Sequence, residues 1–307
     1  MLFRSKNFNY KFHYFLIYFL ILLYNSESKN IKLSLINNES QIKITFANSG
    51  DNYFLSILYD RHQLRTILVN PPSNCNITTF LCDIKNNKKI ITLNFDERLK
   101  IHSCVKMFEG LDNIEEIDLS NFDSSQVTNM AYMFADCTGL KKINFGNMNT
   151  SIVVNMEYFL HGCKNLESVD VSNFDTSSVT NMRYMFSSLY SLKSLKLSNN
   201  FNTENVKDMS GMFYDIQALT SMNLSMFDTS KVTNMTFMFK GASKLKYLNI
   251  SNFNLININS MNEMFDYCNE LQYLDISQIK LKEEHNIYLD FPINNYYFKF
   301  SIKDEKK

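Results

Sequence analysis

One methionine returns through the chain like a metronome: Met130, Met156, Met182, Met209, Met235 and Met261, at spacings of 26, 26, 27, 26 and 26 residues. Cys104 takes the same place one period earlier. Four residues after each anchor stands Phe108, Phe134, Leu160, Phe186, Phe213, Phe239 or Phe265. The single extra residue is one Asn of the pair Asn199–Asn200. Self-similarity at a fixed period of a few tens of residues means a stack of like units. None of them can bury its apolar face alone, and each is covered by the next. A seven-unit stack over roughly 104–277 is therefore expected before any other feature is weighed.

Within each unit runs the pattern L-x-x-L-x-L, as in Leu166-Val169-Val171 and Leu245-Leu248-Ile250. Its last two apolar positions alternate with polar ones, as a strand with one buried face requires. A strand that recurs once per period in identical register pairs in parallel with its neighbours. There follows S-N-F-D-T-S-x-V-T-N-M, with Phe122, Phe174, Phe201, Phe227 and Phe253 and then Val127, Val179, Val206 and Val232 as inward anchors. The Asp, Ser and Thr between them suit turns. Met130, Met133 and Phe134 stand at i, i+3 and i+4, the spacing of one helical face. A short helix of about two turns is expected there, with Thr128, Thr180 and Thr233 as its N-caps. The fold class is thus an α/β solenoid, with a parallel sheet on the concave face and short helices opposite. The Met and Phe stripe, and Cys137, Cys163 and Cys268 at one shared repeat position, read as core.

The ends read differently. Arg4, Lys6 and Lys11 precede the apolar run Tyr14–Tyr24, and small residues stand at Ser26 and Ser28. Eleven helical residues reach only about half of the hydrocarbon core, so residues 1–28 fit a secretory signal peptide. An uncleaved membrane tether or a buried apolar helix are the alternatives. Residues 29–95 hold five strand-like pieces and are expected to form a small β-rich N-terminal cap, with Lys89–Phe95 as the first strand of the stack. The repeats fill 96–277. Residues 278–307, aromatic from Tyr288 to Ile302, are expected to close the last coil. Cys75 and Cys82, close together and outside the repeats, are the candidate disulfide pair.

A formal net charge of +0 gives no reason to expect nucleic acid or an anionic membrane surface as partner. Membrane contact would come only through an uncleaved N-terminal segment. Five scattered histidines share no repeat phase, and no nucleophile elbow, phosphate loop or zinc-ligand spacing occurs. No cofactor, metal site or catalysis is expected. Asn-x-Ser/Thr acceptors at Asn38, Asn76, Asn149, Asn223, Asn234 and Asn249 are no more than composition yields.

The repeated string, nearly verbatim from Leu166 to Phe186 and from Leu219 to Phe239, resembles the 26-residue repeat of BspA-like leucine-rich repeat surface proteins. The second unit departs from it, with Met148 for Phe and Phe159-Leu160 for Met-Phe, and no anchoring tail follows the array. The resemblance implies a leucine-rich-repeat-like stack, export or surface display, and protein binding or adhesion; it carries no catalytic residues. A binding face is then expected on the outward strand positions. One column contains Glu116, Lys142, Tyr247 and Tyr273, and the other Asp118, Asn144, Asp170, Lys196, Asn223, Asn249 and Asp275. Seven strands about 4.8 Å apart would make one surface roughly 30 Å long. The expected role is an exported protein-binding scaffold; a surface-coat component and an intracellular scaffold are the alternatives.

Overall fold

A computed structural model describes residues 101–112, 114–198 and 201–281 in full, together with the backbone of six further strands. These are β1 (Ser40–Phe46), β2 (Leu55–Asp60), β3 (Gln63–Leu68), β4 (Phe80–Lys85), β5 (Lys88–Phe95) and β13 (Tyr297–Lys299). The apolar run of residues 1–28 and the pairing of Cys75 with Cys82 lie outside the described residues.

The repeats form a parallel β-solenoid. Each period supplies one strand: β6 (Ile114–Asn121), β7 (Lys142–Asn144), β8 (Ser168–Asp170), β9 (Ser194–Lys196), β10 (Ser221–Asn223), β11 (Tyr247–Asn249) and β12 (Tyr273–Asp275). Six turns of chain separate these seven strands. Pairing is residue for residue at the repeat period, for example Met222 with Leu248 and Leu248 with Leu274. The anchors Met130, Met156, Met182, Met209 and Met235 are fully buried, as are Phe108, Phe134, Phe186, Phe213 and Phe239. Like residues stack on like. Phe186, Phe213, Phe239 and Phe265 form a ladder with ring centroids 5.6–5.9 Å apart and planes within 13° of parallel.

No helix occurs among the described residues, so the expected helices opposite the sheet are corrected. In their place each coil makes two successive four-residue turns. Met133 N–H donates to the Met130 carbonyl and Cys137 N–H to the Phe134 carbonyl. The third residue of each turn is left-handed. Lys106, Tyr132, Tyr158, Tyr184, Gly211, Phe237 and Glu263 have φ between 51° and 62°. Gly110, Asp136, Gly162, Ser188, Asp215, Gly241 and Tyr267 have φ between 55° and 78°. A left-handed residue every fourth position prevents helix propagation. It also frees alternate N–H groups to bond sideways. Met130, Tyr132, Phe134 and Asp136 donate to the carbonyls of Asn155, Glu157, Phe159 and His161 on the next coil, and the same four bonds recur at all six steps. The i, i+3, i+4 spacing is met because tandem four-residue turns return every fourth side chain to the core, much as a helix does. Thr128, Thr180 and Thr233 are accordingly not N-caps; their hydroxyls donate to His102, Val154 and Lys207 carbonyls of the preceding coil, at 3.2–3.3 Å.

This turn side is the unbroken spine of the solenoid, with bridges running Ser103, Asn129, Asn155, Asn181, Asp208, Asn234, Ser260. The strand side is interrupted. Instead of one seven-strand sheet there are three ladders, β6–β7, β8–β9 and β10–β13. One break falls at the degenerate second unit, where the bulkier Phe145 fills a place held by Leu or Val in the flanking coils. The other falls at the inserted Asn after β9. Ile143 and Leu195, on the strands beside these breaks, and Leu197, just after β9, are only partly buried where other units are sealed.

A second, polar ladder lies inside. Ser124, Thr150, Thr176, Thr203 and Thr229 are at most 2% exposed. Their hydroxyls donate to the carbonyls of Asn149, Asp175, Asn202, Asp228 and Asn254 on the following coil at 2.7–3.0 Å. These bonds satisfy polar groups that burial would otherwise penalise.

The strand expected to open the stack is also corrected. β5 pairs antiparallel with β1 and β4, and it is β1 that lies along β6, also antiparallel, with Lys43 opposite Asp118. Lys89–Phe95 is preceded by the hairpin partner β4 (Phe80–Lys85), and local antiparallel pairing outcompetes a place in the parallel stack. β2 and β3 form a separate hairpin. At the other end, β13 adds in parallel to β12, with Tyr297 in register with Tyr273.

Candidate binding face

The outward side chains of β6–β12 form the two expected columns, and their chemistry differs sharply. The Asp and Asn column belongs to the backbone. Oδ1 of Asp118, Asn144, Asp170, Asn223, Asn249 and Asp275 each accepts the N–H two residues on, at 2.9–3.1 Å. Such Asx turns steer the chain out of the strand. Two more Asx columns serve each coil, one from Asp123 through Asn254 and one from Asn129 through Asn234. Within the strand column Asn144 Nδ2 also donates to Asp118 Oδ1 at 3.0 Å, and Lys196 Nζ pairs with Asp170 at 3.0 Å. The Ser172 hydroxyl and N–H, then Lys196, hold the Asp170 carboxyl down at about 2. These residues are occupied in shaping and bridging turns.

The other column offers free side-chain surface, and it changes character along the array. Glu116 and Lys142 stand opposite each other on β6 and β7. Small serines follow on β8, β9 and β10. Tyr247 and Tyr273 then stand side by side on β11 and β12, with ring centroids 6.4 Å apart and planes inclined by 41°. Tyr247 is 53% exposed. Beside them lies a shallow open depression of about 290 Å³, floored by Met222 and Leu248 and bordered by Ser221, Asn223 and Asn249. The tyrosine pair was visible in the sequence. The contribution of Ser221 and the floor residues was not, because it depends on the uninterrupted register of β10–β12.

Other polar groups resolve into structure. Cys137, Cys163 and Cys268 are buried and donate their thiol hydrogens to the carbonyls of Phe108, Phe134 and Phe239 on the coil before. Burial pushes Cys137 and Cys268 up to about 12 and raises Cys104 and Cys163 as well, which favours the protonated thiol. Tyr132, Tyr158 and Tyr184 on the turn side form a tight stack, centroids 4.8–4.9 Å apart and planes within 13° of parallel. Gly211 ends it, because a Cβ there would stand 2.2 Å from the Tyr184 ring.

His161 is half-buried beside Tyr158, with Nδ1 2.7 Å from Ser187 Oγ. Ser187 spends its only hydroxyl hydrogen on the Tyr184 carbonyl, so the imidazole Nδ1 carries the proton between them. Burial lowers the His161 pKa, and this outweighs the opposing Asp136 carboxylate. A histidine depressed on folding favours the native state while neutral. Its contribution is fully present above the unfolded value near 6.5 and is lost as pH falls through the lower folded value. We expect the wild-type urea midpoint to drop below pH 6.5 more steeply than that of His161→Gln, measured in parallel from pH 5 to 8.

Among the described residues no group of three or more His, Cys, Asp or Glu side chains is placed to hold a metal ion. No helix among them is long and apolar enough to cross a membrane. No curated protein and no solved structure matches the chain. A family of repeat proteins does, over residues 102–198 and 190–294. Those stretches take in the whole solenoid and more than half of the sequence, and the chain belongs to the family described as "Mycoplasma protein of unknown function, DUF285".

Proposed function

We propose that this chain is an exported or cell-surface scaffold that binds a partner protein, without catalysis, through the strand face of β10–β12. The observation that carries this reading is the in-register pair of exposed Tyr247 and half-buried Tyr273 on the longest uninterrupted run of parallel strands. Exposed tyrosines supply large rigid contact area and are common binding anchors. Export is supported by the basic-then-apolar N-terminus and by the likeness of the repeat to BspA-like surface proteins. A solenoid must also cover its ends. The antiparallel β1–β6 pairing supports the strands of residues 29–95 as an N-terminal cap.

The test is the double substitution Tyr247→Ser/Tyr273→Ser in the full chain. Capture of an extracellular matrix protein is expected to weaken at least ~10-fold, in line with hot-spot truncations of about 2 kcal/mol. Unchanged capture would remove this face from the function. Saturable capture of no protein at all would favour a coat component, and an intact N-terminus on cytosolic protein would favour an intracellular scaffold.

A further inference from the structure

Two tyrosine columns run along this solenoid, and they are built for different purposes. On the turn side Tyr132, Tyr158 and Tyr184 stack face to face at 4.8–4.9 Å, so each inner ring face is covered by the next ring. Lys106 Nζ lies 5.0 Å over the outer Tyr132 ring, and Arg183 covers Tyr158 and Tyr184. On the strand face Tyr247 and Tyr273 occupy equally adjacent coils yet splay apart, 6.4 Å and 41°, and both line the depression.

Among the described residues the rest of the depression carries no formal charge, since the other lining residues are Ser, Asn, Met and Leu. Glu116, Asp118, Lys142, Asp170 and Lys196 lie on β6–β9, beyond the break between β9 and β10, while Asp275 on β12 commits Oδ1 to the Ser277 N–H and does not line the depression. Asn223 and Asn249 commit Oδ1 to their own turns, which fixes each amide and leaves its Nδ2–H groups to be offered outward. The volume, about 290 Å³, is at the lower end of small-ligand sites and far short of a protein interface.

We infer that this depression binds a neutral oligosaccharide, the sugar chain of a glycosylated partner. A pyranose ring presents a flat C–H face to an aromatic ring and hydroxyl oxygens around its rim. Tilted tyrosine rings lining the depression match the former, and fixed amide and hydroxyl donors match the latter. A lining without charge disfavours sulfated or carboxylated sugars, whose desolvated charge would have no counterpart. This rests on the binding-scaffold reading above and names what part of the partner is grasped.

The experiment titrates the full chain with neutral hexasaccharides of glucose, mannose, galactose and N-acetylglucosamine, and with a sulfated oligosaccharide as comparator. At least one neutral chain should bind saturably. Affinity should fall ~10-fold or more in Tyr247→Ala/Tyr273→Ala and survive in Tyr247→Phe/Tyr273→Phe, which keeps both ring faces. Absence of binding by all neutral chains, or binding that ignores the Ala change, would overturn the inference. Capture of matrix protein before and after enzymatic removal of its glycans separates the two readings. Capture that persists on the stripped protein keeps the scaffold and overturns the sugar site. Sugar binding without capture of any protein keeps the sugar site and overturns the protein partner.

Discussion

Phe213→Ala is expected to destabilise the solenoid by about 3–5 kcal/mol, read as a fall in the urea midpoint at unchanged slope. Phe213 is fully buried between Phe186 at 5.9 Å and Phe239 at 5.7 Å, both nearly parallel to it. Truncation therefore opens a cavity that touches two coil-to-coil interfaces at once. Neighbours cannot collapse into it, because Met209 and Met212 N–H groups and their carbonyls are pinned to adjacent coils and turns. In a stack stabilised by nearest-neighbour contacts, weakening two consecutive interfaces in the middle splits the array rather than fraying its end. Phe213→Leu, which matches the Leu160 found naturally at this repeat position, should cost clearly less. Equal losses for Ala and Leu would mean the ring ladder, not core volume, is the dominant contribution.

The second large effect is expected at Thr150. Its hydroxyl donates to the Asp175 carbonyl and accepts from the Asp175 N–H, both at 2.9 Å. Thr150→Val preserves shape but strands both backbone groups, and a loss of about 1–3 kcal/mol is expected from the unsatisfied polar atoms. Thr150→Ser should recover most of it, as Ser124 already fills this place in the first coil. The same contrast at exposed Thr128, whose bond to the His102 carbonyl is 3.3 Å, should be small.

The repeat period, the parallel strands and the identity of the core were legible in the sequence because burial repeats with the chain. Met130, Phe134, Val127 and Leu140 carry their inward direction in their spacing. The spacing points to helices for a physical reason: two tandem four-residue turns and two helical turns put apolar residues at the same intervals. The discriminating signal was fainter. Gly110, Gly162, Gly211 and Gly241 fall on just two repeat positions, and these are the left-handed ones. Non-Gly residues fill the same places elsewhere, so the glycines did not line up into a visible column. The binding face was half legible. Outward Asp and Asn side chains look alike whether they await a ligand or close a turn, and only the bonds to Ser120, Gly146, Ser172, Ser225, Ser251 and Ser277 N–H groups decide for the turn. Tyr247 and Tyr273 needed no such help, since tyrosine has no turn-forming role on a strand.

The most direct test of a solenoid built on left-handed tandem turns is the stability of Asp136→Gly compared with Asp136→Ala. Asp136 is exposed, has φ 57°, and stands in the column where Gly110 and Gly162 flank it in the neighbouring coils. Both variants remove the same carboxylate, so the difference isolates the backbone. A left-handed site penalises Cβ, and the Gly variant should be the more stable by about 1 kcal/mol. A helix at this segment would reverse the sign, with Gly about 1 kcal/mol less stable than Ala, and that result would contradict the fold described here.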